Sequence, residues 1–183
     1  MSHVGTALVD PYKIFEKISL KEGMRVADLG CGRTGHFVFP AAHVIGDNGI
    51  VYAVDVMKDV LENVKSRARF EGFDNVQAIW SDVELPGRAP IPNKSLDACF
   101  FVNALFLMRD KESAFKEAAR LLKDQGFLVI VDWAKKLGPL GPMPEKMISP
   151  ETVLSLAEPR GLAVKETCEA GDYHYCVILQ KKS

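Results

Sequence analysis

Neither sign of charge dominates this sequence: 23 Lys and Arg stand against 24 Asp and Glu, leaving a net −1. A surface so balanced exerts no general attraction on a phosphate backbone, which argues against nucleic acid as a partner. No apolar run is long enough to span a bilayer. The first residues lack the charged start and apolar core of a secretory leader, so the expected location is cytoplasmic. Cysteine is sparse too. Cys31, Cys99, Cys168 and Cys176 form no CxxC pair and no metal-binding spacing, so no metal is expected. Cys168 and Cys176 flank a predicted turn and can meet across strands. In a reducing compartment, buried thiol is the general reading.

The composition is that of a globular protein, 48% hydrophobic and 26% charged. The 183 residues suffice for one domain with a real core, and residues 1–183 are read as that single domain. The stretch that organises it is Val26–Gly35, VADLGCGRTG. An apolar run ending in glycines is a buried parallel strand that breaks into a tight loop and then a helix. Gly30, Gly32 and Gly35 have the G-x-G-x-x-G spacing of dinucleotide-binding loops. Asp28 changes that reading, because a carboxylate two residues before the first glycine repels a pyrophosphate. It favours a ligand that carries an ammonium or a sulfonium. S-adenosylmethionine (SAM) carries both, so the loop reads as a SAM loop; a plain glycine turn is the alternative.

Strands are predicted over Arg25–Leu29, Ile50–Asp55, Asn75–Trp80, Leu96–Val102 and Phe127–Trp133. Helical patterns separate them, over PYKIFEKI after Asp10, HFVFPAAHVI with Pro40 as a kink or late start, Val56–Phe70, and Lys111–Leu122 with Gly126 as its cap. Residues 1–22 read as a flap and a short helix, with Asp10 as N-cap and Pro11 at the first turn. Ser149 and Pro150 open a further helix. Leu162–Glu169 and Tyr173–Gln180 form a hairpin about Ala170–Asp172. Residues 134–148, rich in Gly and Pro, have no periodic face and read as a substrate loop, with Met143 and Met147 lining an apolar pocket. The alternation implies an α/β fold, a mostly parallel sheet covered on both faces. Asp28, Asp55, Asp82, Asn103 and Trp133 then all fall at strand carboxyl ends, where such sheets bind ligands.

VADLGCGRTG, VYAVDV, IWSDVE, LDACFFVNALF and LLKDQGFLVIVDW resemble, in order, the motifs of class I SAM-dependent methyltransferases. The tail is similar to the small ubiquinone/menaquinone-methyltransferase branch. The resemblance implies a Rossmann-like doubly wound sheet of order 3-2-1-4-5-7-6 with strand seven antiparallel. It implies SAM as cofactor and S-adenosylhomocysteine (SAH) as product. Asp28 would face the methionyl ammonium, and Gly30, Gly32 and Gly35 would carry the loop. Phe37, just past the loop, joins the cofactor-binding set. Asp55 would take the ribose hydroxyls, Val56 and Met57 the adenine face, Asp82 the adenine amine with Val83 beside the ring, and Asn103 the methyl and amino ends. The chain departs from the family in Arg33–Thr34, one residue more than G-x-G-x-G. Its NALF replaces the Asn-Pro-Pro or Asp-Pro-Pro of enzymes that methylate amino groups of bases or glutamine.

No catalytic residue is assigned. Trp133 is a candidate wall of the acceptor pocket, and His174 a candidate general base. Trp133 also fits a core residue, and His174 a structural edge-strand aromatic cluster with Tyr173 and Tyr175. His36 faces either cofactor or solvent, and His3 and His43 read as solvated. The expected acceptor is a small molecule, and oligomeric state is not readable. The rival readings are a nicotinamide-dependent oxidoreductase and a SAM-binding regulatory module without catalysis.

Overall fold

A computed structural model describes residues 9–183. The first eight residues, with His3 and most of the expected flap, lie outside the described residues. The elements are α1 (Pro11–Lys17), β1 (Arg25–Leu29), α2 (Val38–Ile45), β2 (Ile50–Asp55), α3 (Lys58–Glu71), β3 (Val76–Trp80), β4 (Leu96–Val102), α4 (Lys111–Leu121), β5 (Leu122–Trp133), α5 (Pro150–Ala157), β6 (Leu162–Glu169) and β7 (His174–Lys181). Three-residue 3-10 turns lie at Leu105–Leu107, Pro144–Lys146 and Glu158–Arg160.

The seven strands form one sheet in the order β3-β2-β1-β4-β5-β7-β6, as the resemblance implies. β3 to β5 are parallel, and β7 runs antiparallel to both β5 and β6. Alternate residues of each central strand feed two separate cores. Val26, Phe100 and Val129 pack under α1, α2 and α3, whereas Ala27, Phe101 and Ile130 pack under α4 and α5. Both faces are apolar because both are covered by helices. Phe15, Phe37 and Phe100 meet at ring separations of 5.5–5.6 Å, the first two edge to face, and so tie α1 to the start of α2 and to β4.

The helix starts follow the cap chemistry expected at Asp10 and Ser149, and Asp110 adds a third cap. Asp10, Asp110 and Ser149 accept from the amides of Tyr12, Ser113 and Thr152. Of the two outcomes expected at Pro40 the late start holds: α2 begins at Val38, and Pro40 falls in the first turn, where its missing N–H has no partner to lose. One expectation changes. Gly126 does not cap α4. That helix ends at Leu121 and runs straight into β5, where Gly126 sits against the Leu96 and Lys123 carbonyls beside a register shift between Leu96 and Ala98. Cys168 and Cys176 are free thiols, the general reading of the sequence, and stand directly opposite each other in the β6–β7 ladder.

The segment between β3 and β4 has no regular structure, yet it is pinned. Glu117 on α4 is fully buried, accepts from Gly87 N at 2.7 Å and holds Arg120 through two bonds of 2.7 and 2.8 Å. Arg120 donates in turn to the Ile91 and Ala89 carbonyls and to Asn93. Replacing Glu117 by Ala leaves the Gly87 amide without its acceptor and the Arg120 guanidinium without its counter-charge. The expected cost is about 3 kcal/mol, the lower end for a broken buried pair, because Arg120 keeps some access to water. Urea denaturation checks this; a loss below about 1 kcal/mol would mean that the segment is held by other contacts.

Candidate cofactor and acceptor site

The carboxyl ends of β1 to β4 open onto a cavity of about 540 Å³, within the size range of small-molecule sites. Its floor is the glycine loop. Gly30 N and Cys31 N both donate to the Val54 carbonyl, at 2.8 and 3.1 Å, which fixes the loop on β2. Gly30 has φ +84°, and a Cβ there would stand 3.0 Å from that of Ala104. A side chain at this position would therefore be strained and would crowd the start of the loop after β4.

Asp28 is almost fully buried, and its Oδ1 has no hydrogen-bond partner. Burial, and then the neighbouring Asp55 carboxylate, raise its pKa from 3.8 to about 7. Asp55 is better served. Its Oδ2 accepts from Gly32 N at 3.1 Å and its Oδ1 from Met57 N at 2.9 Å, so it ties the glycine loop to the segment before α3. It is thus more than a helix cap, and Met57, the capping residue of α3, has no side-chain cap bond.

Val56 and Met57 are half exposed and line the open side of the cavity. Trp80 donates its indole N–H to the Val56 carbonyl at 2.9 Å and so fixes that wall. Asp82 and buried Val83 form the next wall. The Asp82 Oδ1 accepts from Glu84 N, and Glu84 Oε2 accepts from the amides of Arg109 and Asp110, closing this wall onto the turn before α4. Asn103 has φ +52°, a left-handed conformation that Asn tolerates better than most residues. Its N–H donates to the Val131 carbonyl at 2.8 Å, and its buried side-chain oxygen is unpartnered.

The cavity therefore brings together Asp28, Gly30, Gly32, Phe37, Asp55, Val56, Met57, Asp82, Val83 and Asn103. Gly35 lies outside its lining; a Cβ there would stand 2.8 Å from the Phe39 ring, so this glycine serves the packing of α2. Trp133 and His174 are also outside the lining. Their rings meet at 4.3 Å between centroids, tilted by 41°, as cross-strand partners of β5 and β7. The loop that follows β5 packs Gly141 against the indole of Trp133, while Met143 is half exposed. His36 lines the cavity, and its Nε2 contacts the Val9 carbonyl at 2.9 Å. His43 is exposed, as expected.

Sequence reasoning missed Ser81, whose buried hydroxyl is unpartnered, and Leu107 and Met108 of the turn after β4. Ser81 was legible as the neighbour of Asp82. Leu107 and Met108 carried no signal, because a 3-10 turn has no periodicity to read.

A family model for a methyltransferase domain matches residues 20–174. The chain belongs to the SAM-dependent methyltransferase family. A SAM-dependent methyltransferase from Aquifex aeolicus superposes with a TM-score of 0.88 at 28% identity, covering 98% of this chain and 93% of that one. Aklanonic acid methyltransferase DauC of a Streptomyces species is 32% identical over 123 residues, 67% of this chain and 51% of that protein. The ubiquinone/menaquinone biosynthesis C-methyltransferase UbiE of Shewanella sediminis is 30% identical over 121 residues, 66% of this chain and 47% of that protein. The chain thus spans about half the length of these two curated relatives. The family cofactor, SAM, fits the cavity on one local observation: the orphaned oxygen of Asp28 lacks a cation, and SAM carries one at its amino end. A nicotinamide cofactor would set a pyrophosphate near that carboxylate. Among the described residues, no helix is long and apolar enough to cross a membrane, and no cluster of His, Cys, Asp and Glu could hold a metal.

The pKa of Asp28 gives the site a pH dependence. A folded-state value of about 7 against 3.8 means that this group's contribution to stability declines as pH rises through that window. An ammonium ligand favours the ionised form, so affinity for SAH is expected to be full above pH 7. It should fall by up to about tenfold per pH unit below 7, as a proton must be displaced. Calorimetric titration between pH 5 and 8 checks this, and Asp28→Asn should bind weakly with no such slope.

Proposed function

We propose that this domain transfers the methyl group of SAM to a small organic acceptor at the carboxyl end of its sheet. The observation that carries the reading is Asp28, a buried carboxylate with one unpartnered oxygen beside a glycine loop. The sulfonium of SAM supplies an already activated methyl group. The work left to the protein is to position that group and to keep water from it. Asp28 holds the amino end, and Gly30 and Gly32 let the chain of the cofactor lie against the backbone. Asp55 takes the ribose hydroxyls while keeping its bonds to Gly32 and Met57. Asp82 takes the adenine amine, with Val56, Met57 and Val83 about the ring. Asn103 stands at the end where the methyl group is presented.

The acceptor is approached from the β5 side, where residues 134–148 cover Trp133. The names of the relatives, an aklanonic acid methyltransferase and a ubiquinone/menaquinone biosynthesis C-methyltransferase, support a small organic acceptor. The balanced surface charge supports it too.

Calorimetry with SAH and with NAD tests the cofactor assignment; SAH should bind at micromolar affinity and NAD should not. Heat from NAD with none from SAH would overturn it. Asp55→Ala should weaken SAH binding by about 1.5–3 kcal/mol, the worth of hydrogen bonds to a charged group. Folding stability should fall as well, by about 1–2 kcal/mol, because two loop amides lose their acceptor. An Asp55→Ala protein that binds SAH as tightly as the parent would confine Asp55 to a structural part.

A further inference from the structure

Cys168 on β6 and Cys176 on β7 are Cα partners in an antiparallel ladder. Directly opposite residues of such a ladder point to the same face, with Cα atoms about 4.5–5.5 Å apart. That separation lies within the range of about 4.4–6.8 Å that a disulfide spans. Both side chains pack into the core under α1, Cys176 fully buried and Cys168 at its margin, partly open to solvent. β6 is the outer strand of the sheet, and its register shifts between Val164 and Glu166. Such a strand can draw in toward β7 without breaking a second ladder. A cation stands beside the pair. Lys17, at the end of α1, is ion-paired with Glu166 at 2.5 Å. Glu166 lies two residues before Cys168 and therefore on the same face of β6. Glu166 first, and then Cys168, raise the pKa of Lys17 above the ordinary lysine value. The attraction is mutual, so the ammonium favours a thiolate at Cys168. At Cys176, burial and then Cys168 push the thiol pKa up. The two thiols are thus unequal, one accessible and beside a cation, the other sheltered beneath it.

We propose that Cys168 and Cys176 form a reversible modification site, in which Cys168 reacts with a small disulfide such as oxidised glutathione and Cys176 resolves the product. The Cys168 thiolate attacks one sulfur of the reagent, and the first glutathione thiolate leaves. Cys176 gives up its proton and attacks the Cys168 sulfur of the mixed disulfide, and the second glutathione thiolate leaves. Two protein thiols become one disulfide, and the reagent takes up the two electrons and both protons. A disulfide at a partly exposed edge belongs to the labile class, so reduced glutathione reverses it. Cys31 and Cys99 are buried, and burial pushes both thiols up, so neither competes for the reagent. The bond closes a ring over residues 168–176, which holds the hairpin turn and Tyr173. The Tyr173 carbonyl accepts from the Ala134 amide at 2.8 Å, where the loop after β5 begins. Oxidation therefore firms the anchor of residues 134–148. The site stands apart from the cofactor cavity and does not depend on the methyl-transfer reading.

The test exposes the full-length protein to oxidised glutathione at neutral pH, follows its mass, and maps the cysteines in unreduced peptides. The expected product is a protein lighter by two hydrogens, with Cys168 and Cys176 cross-linked, that reduced glutathione returns to the parent mass. Cys176→Ala should stop at a mixed disulfide on Cys168. Lys17→Met should slow the first step by about two- to threefold, because the gain in nucleophilicity of a more basic thiol offsets part of its lost thiolate fraction. It should also move the pH midpoint of the rate upward, which a loss of packing alone would not do. Hydrogen exchange at the Ala134 amide should slow by about tenfold in the oxidised protein. A parent protein that stays unmodified, that stops at the mixed disulfide, or that links Cys31 or Cys99 instead would overturn the inference. An unmoved pH midpoint in Lys17→Met would overturn the part given to Lys17, and unchanged exchange at Ala134 the link to the loop.

Discussion

Two carboxylates held side by side at the end of a parallel pair are the constraint on which the rest of the site depends. The β1–β2 register sets Leu29 opposite Val54, so the chain turns just past Asp28 while β2 runs one residue further to Asp55. The two carboxylates are held together by the sheet, not by choice of partner. Asp55 relieves its charge through two loop amides. Asp28 has no such relief on its Oδ1 and answers with a pKa near 7. The local fold thus carries an electrostatic cost that a bound cation offsets. This is the arrangement expected of a site that evolved with its ligand present rather than for stability alone.

The same logic extends along the sheet. Among the described residues' buried side-chain atoms without partners, those of Arg25 and Asn75 lie at the amino ends of β1 and β3. All the others, on Asp28, Ser81, Asn103, Asp132, His174 and Tyr175, lie at the opposite edge. Asp132 and Tyr175 face each other in the β5–β7 register, and burial raises the pKa of Asp132 to about 6. The amino-end edge leaves two such atoms, whereas the carboxyl-end edge leaves them at the ends of β1, β3, β4, β5 and β7. Unpaired polar groups are a burden on stability wherever they occur. Their concentration at one edge marks where the fold gives up stability for binding.

That edge is nonetheless well held, and by long-range bonds. Trp80 reaches Val56, Glu84 reaches the turn before α4, Asn103 reaches β5, and Glu117 with Arg120 secures the irregular segment between β3 and β4. Loops that would be floppy in isolation become walls of fixed shape. Preorganisation of this kind lets weak individual contacts add to useful affinity, because little ordering entropy is left to be lost on binding.

The strands were legible in the sequence because each central one is an apolar run bounded by turn chemistry, and the bounds of β1, β2 and β4 were read to the residue. The caps at Asp10 and Ser149 were legible for the same local reason. So was the placement of Asp28, Asp55, Asp82 and Asn103 at strand ends, since alternation of strand and helix fixes which end of a parallel sheet each reaches. The order of the strands needed the resemblance of motifs, because pattern alone does not say which strand lies beside which. What only the tertiary structure decided is everything set by distance between segments remote in sequence. Gly35 serves α2 because Phe39 lies over it, and Gly126 lies in a strand because Leu96 pairs with Leu122. Asp55 bridges two loops, and the third turn of the cavity wall is built from Leu107 and Met108, which no period announces. His174 read as part of an edge-strand aromatic cluster until the β5–β7 ladder set it against Trp133 with its nitrogens buried. Local propensity and hydrophobic period are properties of neighbours along the chain. Burial, charge proximity and missing hydrogen-bond partners are properties of neighbours in space.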